Sequence, residues 1–236
     1  MNKKVDDLIV DYVAAGGKVK NFVADWQATF SIPPTSAAPI VRDRVDEDGT
    51  VDRGIELARW GLKPFFMKDS AKPGFHNARL ETVADKPSFR TAFTKRRALV
   101  PMNGYYEWVE RAGKKQPYFI HGPGLLSAAG LYEVTKNDAG DWSVTYTIIT
   151  TEARDASGEV HDRMPVFLPP AAWDAWLSPT ELDKSDKTDL LDLLAGQSVT
   201  MASTLTTYPV SMRVNNVRTA DPHDPTLLEP VELEEA

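Results

Sequence analysis

A chain of 236 residues with 42% hydrophobic content can bury one sizeable core, and a single domain over 1–236 is expected. No apolar run approaches the roughly 20 residues of a membrane span, and Lys3, Lys4, Asp6 and Asp7 break any secretory pattern, so a soluble, cytoplasmic protein is expected. Zero cysteines exclude disulfides, thiolate metal sites and a cysteine nucleophile in the chain as it stands, and a net charge of −7 argues on its face against a polyanion partner.

Val5, Leu8, Ile9, Tyr12 and Val13 fall at helical spacing, and Gly16-Gly17 stops the helix predicted over 3–15. Prolines extend the segment Phe30-Ser31-Ile32-Pro33-Pro34-Thr35; a strand over 38–45, a turn at Asp48-Gly49 and a hairpin partner over 55–60 follow. The aromatic-rich loop 60–66 interleaves Trp60, Phe65 and Phe66 with Lys63. Such a loop suits stacking on bases, although core packing is the commoner use of aromatics.

Charge is unevenly placed. Residues 59–115 hold 13 Lys/Arg against 5 Asp/Glu, while acidic residues gather at 43–52 and in the tail from Glu229. A local basic surface steers phosphates; a solvated Lys-rich face is the alternative, and charge alone does not choose.

Ala98 to Val100 reads as a buried strand, followed by the breakers Pro101, Asn103 and Gly104 and a short aromatic strand in which Glu107 stands between Tyr106 and Trp108. Apolar surroundings raise a carboxyl towards the range of a general acid or base, whereas an edge-strand Glu alternating with inward aromatics has no such role. Both readings stay open on this context. Past a turn at Gly113-Lys114-Lys115, strands are predicted over 117–120, 126–132 and 144–151, and helices over 170–177 and 187–194. An extended segment, 208–211, precedes Val214-Asn215-Asn216-Val217. The pattern fits an α+β fold: a curled, barrel-like, mainly antiparallel sheet with peripheral helices.

His161, beside Asp162 and Arg163 in a loop ending at Pro165, is the best placed of four histidines for proton transfer. A lone loop histidine is also commonly structural. No metal-ligand spacing, phosphate-cradling glycine loop or Gly-x-Ser-x-Gly elbow is present, so no metal or cofactor is expected.

Three separated stretches resemble the SOS response-associated peptidase (SRAP) family, abasic-site-processing proteins that crosslink to single-stranded DNA. They are Asn77-Ala78-Arg79-Leu80-Glu81-Thr82, the run from Arg97 ending Gly104-Tyr105-Tyr106-Glu107-Trp108, and Thr150 with His161-Asp162-Arg163-Met164-Pro165. Ile32-Pro33-Pro34-Thr35, Trp60-Gly61-Leu62, Gln116-Pro117-Tyr118 and Pro209-Val210-Ser211 add support in the same order. The resemblance implies that Asn77 holds the nucleophile and sugar, that Glu107 serves as acid and base, and that His161 assists sugar ring opening. It further implies that Arg79 and Arg163 contact phosphates and that Trp60, Thr150 and Pro165 line the DNA site. The partner implied is abasic single-stranded DNA, bound by a monomer.

Family members use a Cys after the initiator Met, whose amine and thiol condense with the open-sugar aldehyde to a thiazolidine. Here the chain starts Met1-Asn2-Lys3-Lys4, without the family's Met-Cys-Gly-Arg strand. A gene start placed a few codons late is the expectation; a lineage that lost the nucleophile is the alternative. Two further activities compete: a non-covalent single-strand damage binder, and a Glu/His peptidase acting on other proteins, for which no Ser, Thr or Cys nucleophile is evident.

Overall fold

The structure, a computed structural model, describes residues 11–12, 26–67, 74–136 and 140–233. Of the helix expected over 3–15, only Asp11 and Tyr12 fall within them, both helical; the rest lies outside the described residues.

The first hairpin forms as its pattern predicts. β1 (Ala37–Val45) pairs antiparallel with β2 (Val51–Trp60) along its whole length, from Ala37 opposite Arg59 to Val45 opposite Val51. Gly49, at φ +83°, supplies the left-handed residue that the turn requires. A short strand, β3 (Asn77–Arg79), follows, and then β4 (Arg97–Arg111), β5 (Lys114–Lys136) and β6 (Trp142–Glu152).

Two sequence expectations are corrected here. Pro101, Asn103 and Gly104 do not divide β4; the strand absorbs them in an irregularity between Met102 and Gly104. Likewise β5 runs unbroken through Gly122-Pro123-Gly124, because Met102 faces Leu126 while Gly104 faces His121, so the extra β5 residues are taken up where the sheet bends. The turn between them is Ala112-Gly113, both at positive φ, and Lys114 and Lys115 already belong to β5.

The sheet closes on itself. β6 pairs with β5 antiparallel and with β2 in parallel, completing a ring through β1 and β4, so the fold is α+β with a barrel-like, mainly antiparallel sheet. β3, β7 (Arg163–Pro165) and β8 (Thr206–Pro209) attach to its rim. Consecutive residues such as Ile40 and Val41, Ala98 and Leu99, or Ile148 and Ile149 enter different hydrophobic clusters. Both faces of these strands are therefore buried, which is why they read as continuous apolar runs rather than alternating ones.

Besides the helical Asp11 and Tyr12, four α-helices flank the sheet among the described residues: α1 (Arg90–Lys95), α2 (Asp155–Gly158), α3 (Trp173–Leu177) and α4 (Lys184–Ala202). α4 starts before and ends well past the 187–194 expected, because Asp183 and Asp186 form a capping box and Leu190, Leu194, Ser198 and Ala202 continue the buried face at four-residue spacing. Arg97 ties helices to barrel. Its buried guanidinium donates to carbonyls of Phe93 and Thr94 in α1 and of Trp176, Ser178 and Thr180 at and after α3.

Candidate functional site

The second half of β4 forms one wall of the site, and its neighbours fix each aromatic in turn. Gly104 must lack a side chain: a Cβ there would stand 2.4 Å from the Ile120 carbonyl oxygen and 2.5 Å from the Phe119 ring. Tyr105 then shares a 2.8 Å hydrogen bond with Ser157 Oγ, Tyr106 Oη donates to the Phe30 carbonyl at 2.8 Å, and Trp108 Nε1 donates to Asn215 Oδ1 at 2.6 Å. Glu107 is thus carried on a strand braced on three sides.

β6 assembles the opposite wall. β3 lies parallel to it, with Asn77 opposite Ile148 and Arg79 opposite Thr150, and β7 lies antiparallel on its other edge, with Pro165 opposite the same Thr150. Arg79, Thr150 and Pro165 therefore form one row across three strands. Trp60, at the end of β2, donates from Nε1 to the His76 carbonyl at 2.8 Å and lies parallel to Tyr146 at a centroid distance of 6.3 Å.

Between the walls, His161 meets Glu107: Nε2 is 3.9 Å from Glu107 Oε2, and the two side chains are 41% and 24% exposed. The Arg163 backbone N–H donates to His161 Nδ1 at 3.0 Å, which assigns the proton of the neutral ring to Nε2, the nitrogen that faces Glu107. Asp162 Oδ1 stands 3.1 Å from Nδ1 and takes a hydrogen bond from it only when that nitrogen is protonated. Burial raises the Glu107 carboxyl above the usual carboxylate range; a charged His161 opposes the rise and Asp162 adds to it. The pair is placed to accept and return a proton at a substrate bound between the walls.

The walls enclose a cleft of about 600 Å³. All eight residues singled out from the sequence line it: Trp60, Asn77, Arg79, Glu107, Thr150, His161, Arg163 and Pro165. Arg79 and Asn77 are exposed. Arg163 is engaged, with Nη1 and Nη2 on Glu81 Oε1 and Oε2 at 2.7 and 3.0 Å and Nη2 also on the Thr150 carbonyl at 2.7 Å. Phe30, Val214 and Leu228, not among the site residues expected from the sequence, also line the cleft, brought in from distant segments. In the 60–66 loop, packing accounts for Trp60, Leu62 and Pro64 but not for Phe65 and Phe66, which are 69% and 48% exposed. No lysine or cysteine lines the cleft among the described residues, and among them no group of three His, Cys, Asp or Glu is placed to hold a metal ion.

Comparison with known proteins finds one family. The family model for SOS response associated peptidase (SRAP) matches residues 4–217. The abasic site processing protein YoqW of Bacillus subtilis is 36% identical over 180 residues, 74% of this chain and 77% of that protein. The abasic site processing protein HMCES of Gallus gallus is 30% identical over 238 residues, 88% of this chain and 68% of its own. A crystal structure of a protein from Bacteroides thetaiotaomicron aligns with a TM-score of 0.74 at 25% identity, covering 98% of each chain.

Proposed function

This chain belongs to the SOS response associated peptidase (SRAP) family, and on that premise we propose that it processes abasic sites in single-stranded DNA. The observation that carries the reading is the Glu107–His161 pair at 3.9 Å, inside a cleft that also holds Asn77, Arg79 and Trp60.

An abasic deoxyribose is a cyclic hemiacetal in equilibrium with an open aldehyde. In the proposed mechanism the protonated form of His161, its Nδ1–H on Asp162 Oδ1, gives its Nε2 proton to the ring oxygen and is left neutral, while the Glu107 carboxylate takes the proton of the anomeric hydroxyl, so the C–O ring bond breaks and the aldehyde forms. An α-amine then adds to the aldehyde, Glu107 returns a proton, and water leaves as the imine forms; a thiol on the same residue closes the thiazolidine. Asn77 orients the nucleophile and sugar. Arg79 contacts backbone phosphate, and Trp60, Thr150 and Pro165 shape the strand's path. The thiol is absent from these 236 residues, so closing the thiazolidine needs an N-terminal Cys that supplies amine and thiol together.

A second reading is favoured by the same absence: non-covalent shielding of damaged single strands, with the acid–base pair idle. Fluorescence anisotropy with an abasic single strand, the intact strand and a duplex tests the site common to both readings. The abasic single strand should bind tightest, with affinity that falls as salt rises. Salt-independent binding, or preference for duplex, overturns the site assignment.

A further inference from the structure

We infer that Tyr105 is a positioning residue that sets the separation of Glu107 and His161 through Ser157, an inference that rests on the role proposed for that pair. Glu107 is fixed by the β4–β5 ladder, opposite Tyr118. His161 is not on the barrel wall; it sits in the 153–162 segment between β6 and β7, whose base is closed by the Ala153 N–H on the Asp162 carbonyl at 2.9 Å. Within that segment α2 buries Ser157 completely.

Ser157 works in two directions. Its Oγ bonds the Tyr105 hydroxyl at 2.8 Å, and its carbonyl accepts from the N–H groups of Val160 and His161 at 3.1 and 3.0 Å. Tyr105 lies two residues from Glu107 on β4 and its ring is held against Phe167, with centroids 6.0 Å apart. The two members of the pair are therefore referred to one short piece of strand: Glu107 directly, His161 through the Ser157 side-chain hydrogen bond. At 3.9 Å the pair stands just outside direct hydrogen-bond reach, so sub-ångström movement of the segment changes whether both groups reach their atoms on one sugar.

The position of His161 can be read without any reaction, by NMR on the 236-residue protein. Loss of one signal in His161→Ala identifies its ring resonance among the four histidines. Glu107→Gln should displace that resonance, and Tyr105→Phe or Ser157→Ala should each cut the displacement by more than half, with no further loss in the double variant. Equal displacement in all backgrounds overturns the inference, even where the variants melt earlier. In a form that processes abasic sites, Tyr105→Phe should slow the reaction about 5- to 10-fold, and that loss should vanish in a His161→Ala background; its persistence there also overturns the inference. A Cys-extended protein with no abasic-site reaction refutes the proposed covalent function and leaves the NMR cycle to decide the positioning role alone.

Discussion

Arg163 grips Glu81 through both terminal nitrogens, at 2.7 and 3.0 Å, across 82 positions of sequence. The Arg163 hydrogen bonds hold the Glu81 carboxyl below the usual carboxylate range. A guanidinium already paired in this way differs from Arg79, which is exposed at the same rim.

Arg79→Ala should weaken single-stranded DNA binding several-fold on every sequence and reduce the salt slope by about one, as expected for one lost phosphate contact. Arg163→Ala should weaken binding on every sequence by more, since it also leaves the Glu81 carboxylate unpaired beside the DNA path. Salt titrations by anisotropy check both. Equal effects of the two substitutions would leave Glu81 with no influence on the site.

Glu107 gives a stability signature of known sign. Its carboxyl is raised by burial, so the folded chain holds the proton more firmly than the unfolded chain. The resulting destabilisation is complete above the folded-state pKa and fades as pH falls through it towards the ordinary value of about 4.3. Glu107→Gln should accordingly raise Tm at about pH 8, and its advantage over wild type should shrink on acidification to about pH 4. Calorimetry at the two pH values measures this; an advantage that grows with acid refutes the burial argument.

Gly104→Ala places a methyl group where the Ile120 carbonyl and Phe119 ring already stand. The obstruction includes backbone, so rotamer changes cannot relieve it, and a loss of about 1–3 kcal/mol is expected. Denaturant titration reads the loss, and weakened DNA binding should accompany it because the bend at Met102 and Gly104 aims Tyr105 and Glu107.

Arg97→Met tests the carbonyl cage. Burial brings the guanidinium down to about 10 but leaves it charged at neutral pH. Methionine fills similar space with no donor, stranding acceptors from five residues, and a loss of about 3–5 kcal/mol in denaturant unfolding is expected. A loss under about 1 kcal/mol would show that water reaches those carbonyls.

Much of the cleft was legible because its residues are clustered in sequence and chemically distinctive: Asn77 with Arg79, Glu107 between aromatics, His161 with Arg163. The hairpin of β1 and β2 was legible from its apolar run and Asp48-Gly49. Ring closure was not, since the parallel contact of Arg59 and Trp60 with Thr145 and Tyr146 leaves no local pattern. Separate strands were expected over 117–120 and 126–132 because the residues of a bulge inside a long strand, here Gly122-Pro123-Gly124, are those of a turn. Ser157 carried no signal either: its importance comes from Tyr105, 52 positions away, and from full burial.

The covalent step is tested by supplying the missing thiol. A thiazolidine requires an α-amine and a thiol on one residue, held within reach of Asn77, Glu107 and the sugar. The 236 residues contain no cysteine, so as they stand they should give little or no permanent adduct, and an amine alone yields an imine that hydrolyses. Adding Met-Cys-Gly-Arg ahead of the chain, with spacing that lets the processed Cys enter the cleft, should produce a heat-resistant shifted band with an abasic single-stranded oligonucleotide on a denaturing gel. Within that extended protein Glu107→Ala should slow adduct formation roughly 10²- to 10⁴-fold, the contribution of a positioned acid–base group, and His161→Ala should slow it as well. Cys→Ser in the added segment should abolish the stable band while leaving salt-dependent binding in place. If the extended protein, with its initiator Met removed, forms no such band, the crosslinking assignment fails and the cleft is left with non-covalent recognition of the damaged strand.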